Sequence, residues 1–131
     1  MRKGFTLVEL IIVIIIVGIL ASIGISQYTK VIEKGRAAEA RTVLGNLRSA
    51  EVAEMNENGA YVAVAGLSVG APTGCLATHY FSYACVAGAG AGAGTCTATR
   101  CTAGGKPPQS TVGAYTKTLD IGGIWGGTAG Y

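Results

Sequence analysis

The 131-residue chain has one histidine, one tryptophan and three prolines, and only 13% of its residues are charged. After Glu57 the only acidic side chain is Asp120. That leaves no carboxylate pair for acid–base work in the second half, and the lone His79 has no partner for a catalytic triad. Neither an enzyme nor a cofactor is expected. Ten Lys and Arg residues against seven Asp and Glu form no basic tract, so no nucleic-acid partner is expected either. No cysteine precedes Cys75, and no charged side chain lies between Leu10 and Thr29.

That uncharged stretch is what the chain does have. About twenty residues suffice to cross the roughly 30 Å hydrocarbon core of a bilayer as one helix. It lacks the form of an ordinary secretory signal. Its basic region, Met1-Arg2-Lys3-Gly4, is very short, no small-residue cleavage site follows, and the run continues into a charged amphipathic segment. Gly4-Phe5-Thr6-Leu7-Val8-Glu9 closely resembles the processing site of type IV prepilins and related pseudopilins. The resemblance covers about the first thirty residues. It implies peptidase cleavage between Gly4 and Phe5, N-methylation of Phe5, and use of Glu9 in filament assembly. Loss of Arg2 and Lys3 with the leader would lower the formal charge of +3 by two.

Glu9 supports two readings. Thr6-Leu7-Val8-Glu9 fits a capping box, in which hydroxyl and carboxylate satisfy free amides of a helix's first turn. An ionised carboxylate at membrane depth also needs a partner, and the amine of Phe5 freed by cleavage would supply one, within the subunit or on a neighbour. The intersubunit pairing is the expectation adopted here. Gly18, Ser22 and Ser26 recur every four residues, a small-residue stripe that lets helix backbones approach closely in an apolar setting. Members of the family often carry a helix-bending proline where this chain has Ser26.

From Lys30 to Glu57 the pattern becomes amphipathic. Ile32, Ala40, Val43, Leu44, Leu47 and Ala50 recur at spacings of three and four. Glu33/Arg36, Arg36/Glu39 and Arg48/Glu51 place opposite charges three apart, as on an exposed helical face. Asn58-Gly59 is the stop signal. A single helix from about Thr6 to Glu57 would be about 80 Å long at 1.5 Å per residue.

Beyond Gly59 the chain reads as β. Tyr61 to Gly74 is a linking loop whose Val62, Val64 and Leu67 can pack on the helix. Strands are expected at Thr78–Val86, Thr95–Thr102 and Tyr115–Leu119, with a last hairpin turning at Asp120-Ile121-Gly122-Gly123 into Ile124-Trp125. The Gly/Ala alternation of Ala87–Gly94 suits a hairpin connection. It is no phosphate loop, for it lacks a Gly-Lys-Ser/Thr ending and opens no helix.

Four cysteines in a domain that leaves the cytoplasm point to two disulfides. Folding Thr78–Val86 back on Thr95–Thr102 sets Cys85 opposite Cys96 and leaves Cys75 and Cys101 near the other end. The expected pairs are Cys85–Cys96 and Cys75–Cys101. Zinc is the rival use, but there is no Cys-x-x-Cys pair, and His79 reads as a surface strand residue; no metal site is expected.

The fold class expected is α+β, a long N-terminal helix packed on a small antiparallel sheet. Residues 1–4 form a cleaved leader, 5–29 a transmembrane and polymerisation helix, 30–58 its amphipathic half, and 59–131 a β-rich domain. The resemblance implies a structural subunit of a type IV pilus, processed by a prepilin peptidase/methylase. It would be held in the bacterial inner membrane as a precursor, then polymerised with copies of itself by the assembly machinery into a surface filament. The alternative is a pseudopilin of a type II secretion system. Major pseudopilins commonly bind calcium near the C-terminus, where Asp120 alone is a poor start.

Overall fold

The computed structural model describes residues 4–108 and 112–128. The expectations placed on Met1, Arg2 and Lys3 lie outside the described residues.

One helix, α1 (Leu7–Asn58), is followed by a short 3-10 turn (Val64–Gly66) and four strands: β1 (Phe81–Cys85), β2 (Cys96–Arg100), β3 (Thr116–Leu119) and β4 (Trp125–Gly127). No proline precedes Pro72, so nothing interrupts the backbone ladder of α1. Where a proline would bend it, the Ser26 hydroxyl donates to the Ile23 carbonyl (3.0 Å). The helix ends at Gly59, whose φ of 74° is a left-handed cap and whose N–H returns to the Met55 carbonyl (3.0 Å).

The chain divides into two compact units, Met1–Glu33 and Lys34–Tyr131. In the first, every large apolar side chain from Leu7 to Val31, except the half-buried Ile32 that follows them, is exposed. In the second, the remaining part of α1 lies on the sheet. Its buried Ala37, Ala40, Leu44 and Leu47 meet Phe81, Tyr83, Cys85, Cys96, Ala98, Tyr115 and Leu119 in one core. Val43, Leu67 and Val69 pack around the edge. The Phe81 ring stands edge-on to Tyr115, centroids 5.8 Å apart.

The sheet is an antiparallel meander, β1-β2-β3-β4. Cys85 lies opposite Cys96, Ala98 opposite Lys117, and Leu119 opposite Trp125. Asp120 makes the last turn: its Oδ1 accepts the Ile124 amide at 2.7 Å, and its carbonyl accepts Gly123 N–H at 3.0 Å. The architecture is α+β, a long N-terminal helix with a four-stranded antiparallel sheet on its C-terminal half.

Three expectations need correction. The strands are shorter than their apolar text: β1 starts at Phe81, and His79 lies in the preceding turn. There its N–H donates to Leu76 and its carbonyl accepts Lys106 N–H, so its backbone is engaged before the ladder begins. The charge pairs Glu33/Arg36 and Arg48/Glu51 do not mark an exposed face, since Glu33 and Glu51 are both buried. Arg48 instead donates from Nε to the Ile121 carbonyl in the β3–β4 turn (2.9 Å).

Candidate functional site

The first turn of α1 is a closed reciprocal cap. Thr6 N–H and Thr6 Oγ1 both donate to Glu9 Oε2, at 2.8 and 2.7 Å, and Glu9 N–H donates back to Thr6 Oγ1 at 3.3 Å. Gly4 and Phe5 precede the helix in exposed backbone outside any regular element, with nothing within 4 Å of where a Gly4 Cβ would stand. Phe5 is 88% exposed. The cleavage junction expected from the sequence is thus open to a protease.

Behind the cap the helix is long and apolar enough to cross a membrane. Gly18, Ser22 and Ser26 stand on its exposed surface. Both hydroxyls are turned onto their own helix, Ser22 Oγ to the Ile19 carbonyl (2.8 Å) and Ser26 Oγ to that of Ile23. A hydroxyl satisfied this way can sit in an apolar surround without leaving a donor unmet. Among the described residues, none of the stripe is buried against another part of the chain.

The outer unit holds the remaining chemistry. Disulfides join Cys75 to Cys101 and Cys85 to Cys96. Both lie on the β1–β2 hairpin or its flank, so the second is nested within the loop closed by the first. A Glu51 carboxylate oxygen and the sulfurs of Cys85 and Cys96 lie within 4.8 Å of one another. Because the two sulfurs are bonded to each other, the group is not a metal centre as it stands. Glu51 accepts Val62 N–H at 3.0 Å through Oε2. Burial holds its carboxyl above the usual carboxylate range, with the charge of Glu54 acting the same way and the Val62 bond opposing.

At the other end of the hairpin, Arg100 is buried. Its Nη1 donates to the carbonyls of Tyr80, Cys101 and Lys106 at 2.9, 3.0 and 2.6 Å. The Tyr80 ring lies beneath Arg36, Lys106 and Arg100, whose charged ends are 4.4, 4.9 and 5.3 Å from its centroid. A cavity of about 330 Å³ opens beside it, lined by Glu39, Val43, His79 and Tyr83 among others. Burial, helped by Glu39, pushes the Tyr83 hydroxyl up to about 12. Sequence reading places Glu51 on an exposed helical face and does not single out Arg100. The signals were present: Glu51 continues the Leu44–Leu47 spacing, and Arg100 continues the inward alternation of Cys96 and Ala98.

A description of known chains, the prokaryotic N-terminal methylation motif, matches residues 1–25. The cap and the uncovered apolar run both belong to it or continue it. Over this segment and the helix beyond, the chain is similar to type IV pilins. It is 44% identical over 50 residues to a type IV major fimbrial protein FimA of Dichelobacter nodosus, covering 38% of this chain and 32% of the relative. It is 41% identical over 58 residues to a fimbrial protein of Moraxella nonliquefaciens, covering 44% and 37%. It is 41% identical over 60 residues to the type IV major pilin protein PilA of Myxococcus xanthus, covering 46% and 27%. The matched part spans about a third of the length of these relatives. No solved structure matches the chain.

Proposed function

We propose that this chain is a structural subunit of a type IV pilus, cleaved between Gly4 and Phe5, methylated on Phe5 and polymerised through its N-terminal helix. The observation that carries the proposal is the uncovered helix. From Leu7 to Val31 its apolar side chains are exposed among the described residues, and most of them lie within the matched methylation motif. Burying a Leu, Ile or Val contributes about 1.5–3 kcal/mol per side chain, so a membrane and then a bundle of like helices is a strong attractor for such a surface. The names of the relatives, fimbrial and pilin proteins, agree with it.

In this reading the inner membrane holds the precursor, a prepilin peptidase/methylase processes it, and the assembly machinery passes it into a surface filament of like subunits. Gly18, Ser22 and Ser26 form the close-approach stripe between helices. Glu9 releases its cap with Thr6 to meet the Phe5 ammonium of a neighbour. Engagement of Asp120 in the β3–β4 turn favours a pilus over a calcium-binding pseudopilus. The test is intact mass and N-terminal sequence of fibres sheared from cells. A chain beginning at N-methylated Phe5 is expected; Met1 retained in assembled material would exclude the proposal.

A further inference from the structure

Glu51 is more costly than its visible duty requires. It is fully buried, Oε2 accepts the Val62 amide, and Oε1 is buried with no hydrogen-bond partner among the described residues. A glutamine carbonyl could accept from Val62 equally well, and burying an amide costs less than burying a carboxylate. What distinguishes an acid here is its neighbour, the Cys85–Cys96 disulfide, whose sulfurs lie with a Glu51 oxygen inside 4.8 Å. Cys96 is wholly buried and Cys85 is 8% exposed. Among the described residues no comparable carboxylate group accompanies Cys75–Cys101.

We propose that Glu51 is a built-in proton acceptor and donor for closing and opening the Cys85–Cys96 bond. Closure starts from a mixed disulfide between Cys85 and an external thiol, formed by a disulfide of the glutathione class or a dithiol oxidoreductase. The Cys96 thiol gives its proton to the Glu51 carboxylate. The thiolate then attacks Cys85 Sγ, and the external sulfur leaves as a thiolate with the electron pair of the broken bond. Opening is the reverse. An external thiolate attacks Sγ of Cys85, the less buried of the two residues, and the S–S electron pair passes to Cys96 Sγ, which takes the proton from the Glu51 carboxyl. Thiolate is the reactive form, and among the described residues the carboxylate grouped with Cys96 Sγ is that of Glu51.

The surroundings suit the task. Glu54 on the same helix is the charged group that acts on Glu51. The loop packed against it brings the Val62 amide beside Tyr61, and the hairpin brings the two sulfurs. Tyr61 is tied to Gly88 by two backbone bonds of 3.0 and 2.8 Å, and its ring lies against Gly94.

The test uses the full chain in detergent micelles, wild type beside Glu51→Gln. Each is reduced, reoxidised with the glutathione pair, quenched by alkylation and mapped by peptide mass. Closure of Cys85–Cys96 is expected to slow by about tenfold or more in the variant, at the low end or below the usual range for a lost general base, with Cys75–Cys101 unchanged. Equal rates in the two proteins, or equal slowing of both bonds, would overturn the proposal. A second measurement needs no variant. The rate at which dithiothreitol opens Cys85–Cys96 in folded wild type, divided by its thiolate concentration, is followed from about pH 8 to about pH 5, toward the carboxylate range. It should rise toward acid as Glu51 gains its proton, and a flat profile would also overturn the proposal.

Discussion

Glu9 caps its own helix in this chain, and the same carboxylate is the group proposed to meet a neighbour's Phe5 ammonium. Substitution separates the two roles. Glutamine can still close the box with Thr6, and a cap contributes about 0.5–2 kcal/mol. An ammonium left unpaired in an apolar bundle costs about 3–5 kcal/mol. Glu9→Gln is therefore expected to be made, processed and held in the membrane, yet to yield few fibres by electron microscopy and blotting. Normal fibre yield would reduce Glu9 to its cap. Glu51 gives a second residue-scale expectation, on stability. Its folded-state carboxyl titrates above its unfolded value because of burial. The folded protein thus holds this proton more tightly than the unfolded chain. Its contribution is fully present below the ordinary value near 4.3 and is lost as pH rises through the folded-state value. Glu51→Gln should raise the thermal midpoint at neutral pH and flatten its dependence above pH ~4; a lowered midpoint at pH ~7 would mean that the carboxylate itself stabilises the fold.

Among the elements, the β1–β2 hairpin depends on Arg100 as much as on its sulfurs. Removing the guanidinium in Arg100→Met strips a donor from the carbonyls of Tyr80, Cys101 and Lys106. The expected loss is about 3–5 kcal/mol, since a buried acceptor left without a donor costs about 1–3 kcal/mol. Thermal melts followed by circular dichroism would measure it, and a loss under about 1 kcal/mol would show that solvent replaces the arginine. Arg100→Lys should recover little, since a point ammonium does not reproduce a planar fork. The elements were legible in proportion to how local their causes are. The helix start rests on Thr6 and Glu9, its end on Gly59, and the β3–β4 turn on Asp120 and Gly123. All are signals within a few residues. The pairing of Cys85 with Cys96 needed only the hairpin. Glu51 and Arg100 were misread or passed over because a charge at an inward position resembles a surface charge until its partners are known. Those partners, Val62 and the sulfurs for one and three loop carbonyls for the other, are set by tertiary packing. His79 was placed on a strand because aromatic text runs through it, whereas the backbone bonds to Leu76 and Lys106 hold it in a turn.

The whole molecule combines a unit that lacks a surround with a unit that is covalently closed. In the proposed function lipid or like helices surround the first; the second carries its own core of helix and sheet. For the second, nesting of the two bridges sets a mechanical limit. Cys75 and Cys101 are 26 positions apart, and everything between them, β1 and β2 included, is bypassed by one bond. At about 3.3–3.6 Å per extended residue, roughly 90 Å of contour is withheld from a chain drawn taut. Cys85–Cys96 lies inside that bypass, so severing it alone lets out no length. Single-molecule extension of the chain by its ends should show a shortened unfolding step in oxidising buffer that lengthens by about 50 Å if Cys75–Cys101 alone is opened, since Cys85–Cys96 still bypasses 11 positions, and by about 90 Å once both bonds are open. Cys85→Ser with Cys96→Ser should leave the step unchanged. A filament built of such subunits would stretch by unwinding helices, while the segment from Cys75 to Cys101 of each subunit pays out no slack.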